Sequence, residues 1–417
     1  MASSTLPPLS TYQKGLIFIL ACLLFSIVVD YMALSALSAV LLPALELTTK
    51  EFGILVSAYA FSAGISGFLA TGFADSFDRK QLLMVYYGGF LAGILLCALA
   101  HSFVVLLIAR IVTGISGGVV ASICFAIVAD LFAPDQRGRV MGYVQLAFAA
   151  SLVAGLPLAL YLATNFDWHL LYGVFLVFGL IFLSIVFFKV KPVNQHLNTT
   201  QAVASPKHSL HVMSNQSYWT VFLNNVFLVL GDVMFMTFGS AYLTNNLGVS
   251  LDDLPILFGL GGVATILLSP VVGRFTDRYG KLKVFTVSTV VTMIIVGIFS
   301  QLGSVSFWLI ALVHTLLFAG INARMIAATA MTTLVPNQQD RGAFMSLDAS
   351  LQQLAGGVAA IAVGWIVFQA TDGKVQGYPI LGGVVIGVML MTIGLMYLVH
   401  LTIERESSDD QKRNNRG

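Results

Sequence analysis

Long uninterrupted apolar runs leave this chain few ways to fold. Gly15 to Pro43, Leu82 to Ala100 and Ser217 to Leu243 each approach or exceed the ~20 residues that a helix needs to cross a bilayer. Inside lipid the backbone must satisfy its own hydrogen bonds, so runs of this length are expected as helices. The short alternating strands of an outer-membrane barrel are absent. Only 10% of the 417 residues are charged, against about 25% in soluble proteins, which is too little to cover a water-facing surface. An all-α integral membrane protein follows, in contact with the lipid bilayer.

Helices are expected near residues 15–43, 51–72, 82–100, 103–131, 139–163 and 168–188, and again near 218–244, 254–273, 283–302, 305–333, 342–369 and 379–402. Of the 21 Lys and Arg, only Lys50 and Lys374 fall in the odd-to-even connections, and only Arg110 and Arg324 within apolar runs. The rest lie at the N-terminus, in the even-to-odd connections and in the tail. That bias predicts cytoplasmic termini and an even number of spans. Residues 1–14 lack a basic segment ahead of the first run, which therefore reads as an uncleaved helix. Cys22, Cys97 and Cys124 all sit in apolar runs without metal-ligand spacing, so neither a disulfide nor a zinc site is expected. The polar stretch Lys189–Ser217 reads as a cytoplasmic linker. Its sequons at Asn198 and Asn215 are coincidental on that side. The organisation is thus a six-helix bundle over 1–188, a linker over 189–217, a second bundle over 218–402 and a disordered tail over 403–417.

The two bundles repeat one another. Asp30 precedes Asp75 by 45 residues, and Asp232 precedes Asp277 by the same 45. Glu51 and Asp253 open corresponding helices at an offset of 202, and Arg137-Gly138 recurs as Arg341-Gly342 at an offset of 204. Several coincidences in register indicate an internal repeat, and transporters built from repeats bind substrate near the midplane where the halves meet.

The connection after the second helix reads Thr71-Gly72-Phe73-Ala74-Asp75-Ser76-Phe77-Asp78-Arg79-Lys80. That after the eighth reads Gly273-Arg274-Phe275-Thr276-Asp277-Arg278-Tyr279-Gly280-Lys281-Leu282-Lys283. Small residues there let helix ends approach, and the carboxylate can pair with bases across the surface and latch one conformation. The fourth helix carries Arg110, Gly114 and Gly118 on one face. A buried arginine is costly unless paired, and snorkelling to the interface is the competing reading. Further on come Asp130, Pro134, Arg137-Gly138-Arg139 and Gly142, then Gly155-Leu156-Pro157.

These sequences resemble the major facilitator superfamily, most of all the bacterial twelve-helix drug/proton antiporter and sugar-efflux branch. The eighth-helix loop is close to the family's signature. The second-helix copy has Thr71 and Asp78 in glycine positions and Ser76 in a basic one. The resemblance implies twelve transmembrane helices in two pseudo-symmetric bundles, in the inner membrane of a bacterium, with a proton gradient as the energy source and no cofactor. It implies a role in proton coupling for Arg110. It also implies a cytoplasmic latch of Asp75, Arg79 and Asp130, matched by Gly273, Asp277, Arg278, Gly280 and Lys281. In the second half His314 stands at the Arg110 position and Leu334 at the Asp130 position.

Ionisable groups deep in apolar runs are the functional candidates. Asp30 lies mid-way along the first helix, Asp232 in the matching stretch of the seventh, Arg324 in the tenth and Asp348 early in the eleventh. An isolated charge at mid-bilayer costs roughly 2.5–3.5 kcal/mol, so each should face a cavity, change protonation or find a partner. Asp30, Arg110 and Asp232 are the proton-coupling candidates. Substrate contacts are expected from Asp30, Tyr31, Asn225, Asp232, Arg324, Asp348 and Gln352. A buried structural ion pair is the plainer alternative for each charge. Gly280-Lys281 is followed by Leu282, so no nucleotide P-loop is present, and no enzymatic role or nucleic-acid partner is expected. The leading reading is a monomeric secondary transporter that exports a small amphipathic molecule in exchange for protons. Symport or facilitated transport of a polar or anionic metabolite or a sugar is the alternative, and a non-transporting receptor the remote one.

Overall fold

The structure is a computed structural model that describes residues 9–194, 197, 212–337 and 340–414; the side chains of 71, 75, 134, 135, 216 and 406–414 lie outside that description. Twelve helical segments are long and apolar enough to span a membrane. The first half holds α1 (Thr11–Ala36) and its continuation α2 (Ser38–Ala44), α3 (Thr49–Phe73), α4 (Arg79–Ala98), α5 (Phe103–Leu131), α6 (Pro134–Ala150), α7 (Leu156–Asn165) and α8 (Trp168–Lys189). The second holds α9 (Gln216–Met236), its continuation α10 (Gly239–Asn245), α11 (Leu254–Tyr279), α12 (Lys281–Ser300), α13 (Phe307–Thr332), α14 (Arg341–Ile366) and α15 (Tyr378–Asn414). A two-residue hairpin, β1 (Phe368–Gln369) with β2 (Val375–Gln376), joins α14 to α15.

Local chemistry fixes many of the boundaries. Ser10 with Gln13 and Thr48 with Glu51 form capping boxes that start α1 and α3, and Asp78, Ser102 and Asp167 cap α4, α5 and α8 through side-chain oxygens. Pro157 lacks an N–H, and a turn of π-helix over Ser151–Gly155 takes up the resulting misfit between α6 and α7. Two expectations fail. The stretch from Gly273 to Tyr279 is not a loop but the last two turns of α11, and the chain breaks only at Gly280, whose φ of 94° few other residues accept. The tail is not disordered as a whole, because α15 continues to Asn414. Most of the expected linker lies outside the described residues.

With odd and even spans antiparallel, α1 begins and α15 ends at one face of the bundle, the terminus-bearing end. The halves are joined across the opposite end. There Ser38 and Ser240 share a hydrogen bond of 2.8 Å, and each hydroxyl also accepts the backbone N–H that follows the other, Ala39 N at 3.2 Å and Ala241 N at 3.3 Å. The Thr49 hydroxyl donates to the Gly364 carbonyl at 3.3 Å. Two helix seams continue inward from this end. Along α3 and α14, Gly53 abuts the Ala360 carbonyl, Gly357 abuts Phe61, and Gly64 abuts Ser350 and Leu354. Along α11, Gly259 abuts Pro157 of α7 and Gly262 abuts the Leu152 carbonyl of the π turn before it. One apolar core runs through the first bundle and the far half of the second. A separate core around Phe222, Phe285, Phe344 and Met396 fills the terminus-bearing half of the second bundle.

Candidate functional site

Each bundle buries one aspartate against one arginine. Asp30 of α1 accepts from Arg110 Nη1 of α5 at 2.7 Å, and both side chains are 1% exposed. The guanidinium lies 4.6 Å from the centre of the Tyr59 ring, a cation–π contact that further offsets its desolvation. Tyr59 packs on Tyr31 with ring centres 5.4 Å apart. In the second bundle Asp232 of α9 accepts from Arg324 Nη1 of α13 at 3.1 Å, and Arg324 Nη2 reaches Thr392 Oγ1 of α15 at 3.5 Å. Arg324 is wholly buried, whereas the Asp232 side chain keeps 11% exposure. The aspartates occupy equivalent repeat positions, but the arginines do not, since Arg110 has His314 as its mate. His314 sits within an aromatic group of Phe258, Phe299 and Phe318.

Neighbouring residues of α1 look in different directions. Asp30, with Tyr172 of α8, borders a gap of about 10 Å³ inside the first bundle, room for about one water. Tyr31 instead reaches the second bundle, its hydroxyl facing Gly356 of α14 beside Val229 and Val233. One and two turns along that face of α14 come Gln352 and Asp348. Asn225 Nδ2 of α9 donates to both Asp348 carboxylate oxygens at 3.0 Å, and Gln352 Nε2 donates to Oδ2 at 2.8 Å. Asn224 Nδ2 donates to Asn225 Oδ1 at 3.2 Å, which orients the Asn225 amide with its nitrogen toward the acid.

Two of the residues expected in the latch are in contact. Arg79 Nε meets Asp130 Oδ2 at 3.1 Å at the terminus-bearing end, while the side chain of Asp75 lies outside the described residues. In the second half Asp277 and Arg278 are exposed, and Arg278 lies over the Tyr279 ring at 5.4 Å. Among the described residues Asp277, Arg278 and Lys281 form no ion pair with one another. Gly273 lies within α11 rather than in a turn. Gly114-Ile-Ser116-Gly-Gly118 has the spelling of a hydrolase nucleophile turn, but Ser116 is in mid-helix of α5, so no exposed nucleophile results. The glycines instead let α5 close on Tyr59 and Ala63 of α3. Tyr59, Thr392, Ser38 and Ser240 were not among the sequence candidates, because an uncharged polar residue in an apolar run carries no signal of its own.

The family pattern described as Major Facilitator Superfamily matches residues 19–238 and 221–416. The chain belongs to the major facilitator superfamily. Among its relatives is the MFS-type transporter YceJ of Bacillus subtilis (strain 168), 24% identical over 268 residues, which are 64% of this chain and 68% of that one. The putative transporter AraJ of Escherichia coli (strain K12) is 22% identical over 347 residues, 83% of this chain and 80% of its own. Solved superfamily structures share the fold. A bacterial homologue of the human lysosomal transporter Spinster, inward-facing and occupied, gives a TM-score of 0.69 at 14% identity, covering 96% of this chain and 98% of its own. A D-xylose–proton symporter gives 0.72 at 16% identity, covering 92% and 97%. Membership makes the chain a multi-pass membrane transporter of the twelve-helix superfamily fold.

Proposed function

We propose that this superfamily member is a proton-coupled exporter of small amphipathic molecules that works by alternating access. The observation that carries the reading is the pair of buried Asp–Arg contacts at matched depth in the two bundles, with the Tyr31, Asn225, Asp348 and Gln352 side chains between them. A carboxylate held inside a membrane protein is expensive to maintain and is a default sign of an ion or substrate path. Aromatic rings and amides side by side suit a solute with both apolar and polar parts. The clasp at Ser38 and Ser240, with the seams behind it, closes the end opposite the termini, and the basic bias argues that the termini face the cytoplasm.

The polar Asn225–Asp348–Gln352 group gives some support to a second reading, proton symport of a polar metabolite. One assay separates the two. Protein reconstituted in liposomes with an enclosed pH-sensitive dye is offered a panel of solutes, and solute-dependent proton movement is the expected result. Its sign relative to solute flux distinguishes export from symport. Solute flux without any proton movement would overturn coupling altogether. Asp30→Asn and Asp232→Asn are expected to reduce coupled flux by more than about tenfold, as loss of a charged contact of 1.4 kcal/mol or more would do.

A further inference from the structure

Four aspartates are buried among the described residues, Asp30, Asp232, Asp340 and Asp348. Asp340 lies at the terminus-bearing end of α14, where Tyr218 donates to it, and the other three differ in what holds them. Asp30 and Asp232 each touch an arginine that is buried with them. A proton placed on either would strand that arginine without a counter-charge inside the membrane. Asp348 is held only by neutral amides, two contacts from Asn225 and one from Gln352. It is 7% exposed, so its charge is neither well hydrated nor cancelled.

Among the described residues no ion pair reaches it from the packed elements. From α3, Phe61 and Gly64 face α14. The ionisable groups of α3 are engaged elsewhere, with Lys50 over Trp365, Glu51 on Thr48 and Tyr59 on Arg110. From α9, Asp232 is paired and Tyr218 donates to Asp340 at 2.7 Å. From α15, Tyr378 stacks on Tyr242, Tyr397 is exposed, and His400 lies 3.2 Å from Glu404. Arg341, two turns before Asp348 on α14, donates to the Thr333 carbonyl at 3.2 Å. From α1, Tyr31 contributes a neutral hydroxyl.

We propose that Asp348 is the proton-binding carboxylate of this transporter, an acid held by amides alone that can lose its charge without stranding a cation. The step is a simple transfer. The carboxylate accepts one proton from water on the open side, and its new O–H requires an acceptor. Asn224, which bonds Asn225, has a buried Oδ1 without a hydrogen-bond partner, which leaves an acceptor open next to the group. An amide that had bonded the anion is then released toward Gly356 and the Tyr31 hydroxyl, which couples the proton to the first bundle. The inference rests on the proton-coupled reading for its role in transport, but proton uptake is measurable without transport.

Infrared difference spectra of the purified full-length protein between about pH 5 and pH 9 provide the test. The wild type is expected to show the carbonyl stretch of a carboxyl group that gains a proton. Asp348→Asn should abolish that band, Asp348→Glu should keep it at a shifted frequency, and Asp30→Asn and Asp232→Asn should leave it in place. A band that persists unchanged in Asp348→Asn, or no such band in the wild type, would overturn the assignment. If Asp348→Asn does not fold, Asp348→Glu decides, since an unshifted band also overturns it. Loss of solute-driven proton flux with the Asp348 band intact would count against coupling and not against this site.

Discussion

Arg110 and Arg324 are among the largest fully buried side chains of the protein, and each is tolerated because an aspartate lies on it. Removing one partner of a buried pair costs roughly 3–5 kcal/mol, much of it the stranded charge. Asp30→Asn is therefore expected to lower the unfolding midpoint sharply in detergent, and Asp30→Asn with Arg110→Gln to recover part of the loss. A double variant that merely adds the two single losses would show that the pair is not coupled. A weaker contact sits at the end opposite the termini. His169 Nδ1 lies 2.6 Å from Asp167 Oδ1 and Nε2 lies 2.8 Å from the Ala100 carbonyl, and the His169 backbone N–H donates to Asp167 Oδ1 at 2.9 Å. The His169 backbone N–H, ahead of its ring, holds the Asp167 carboxyl below its ordinary value of 3.8. A lowered acid stabilises the fold above its unfolded value, and that contribution vanishes as pH falls through the folded one. Thermal unfolding should thus lose a small increment below about pH 4 in the wild type and none in Asp167→Ala. The charges were legible from sequence as exceptions within apolar runs. Their pairing was not, because the partners lie 80 and 92 residues apart, and only packed helices bring them together.

At the scale of elements the repeat is clearest where the bundles touch. Ser38 and Ser240 are 202 residues apart, the offset already set by Asp30 with Asp232. Their reciprocal bonds to Ala241 N and Ala39 N make a local two-fold contact, self-complementary as an isologous interface must be. The helix interruptions beside them correspond too, since α1 gives way to α2 at Leu37 and α9 to α10 at Thr237 and Phe238. Alternating access requires this contact to part. A Ser38→Cys/Ser240→Cys protein with Cys22, Cys97 and Cys124 replaced should cross-link on oxidation, lose transport and recover it on reduction. Transport at full rate in the cross-linked form would remove the clasp from the gating motion. Gly53→Val addresses the α3–α14 seam, where a side chain would meet the Ala360 carbonyl; transport and stability are both expected to fall, read by flux and by unfolding midpoint. Helix number and most boundaries were legible because hydropathy marks spans directly. The helical course of Gly273–Tyr279 was not, because charged residues end an apolar run without ending a helix. Gly280 carries the stop that a hydropathy profile cannot register.

Inside the bundles Arg110 and Arg324 are each paired with an aspartate, whereas Asp348 is held by amides alone, and this constrains what can pass between the bundles. Arg110 is spent on Asp30 and Tyr59, and Arg324 on Asp232 and Thr392. From sequence alone Arg324, with carboxylates opposite it, suits an anionic or zwitterionic solute. In the folded chain it is fully buried and committed, and recruiting it for an anion would first require breaking that pair. Among the described residues lining α9 and α14, Asp348 carries a charge with no cation on it, so its surroundings are neutral when the acid is protonated and negative when it is not. An anion placed beside it gains no counter-charge and meets repulsion that low-dielectric surroundings strengthen. The protein should therefore carry neutral or singly cationic solutes in preference to anions. Liposome flux measured with an amine, an alcohol and a carboxylic acid built on one apolar skeleton tests this directly. The amine and alcohol should each exceed the carboxylate by roughly tenfold or more, the factor that 1.4 kcal/mol supplies. Raising the pH should widen the gap between amine and carboxylate in the wild type, as Asp348 ionises, and leave it unchanged in Asp348→Asn. A carboxylate carried as fast as the amine would mean that one of the arginine pairs opens during transport, and would return Arg324 to the substrate path.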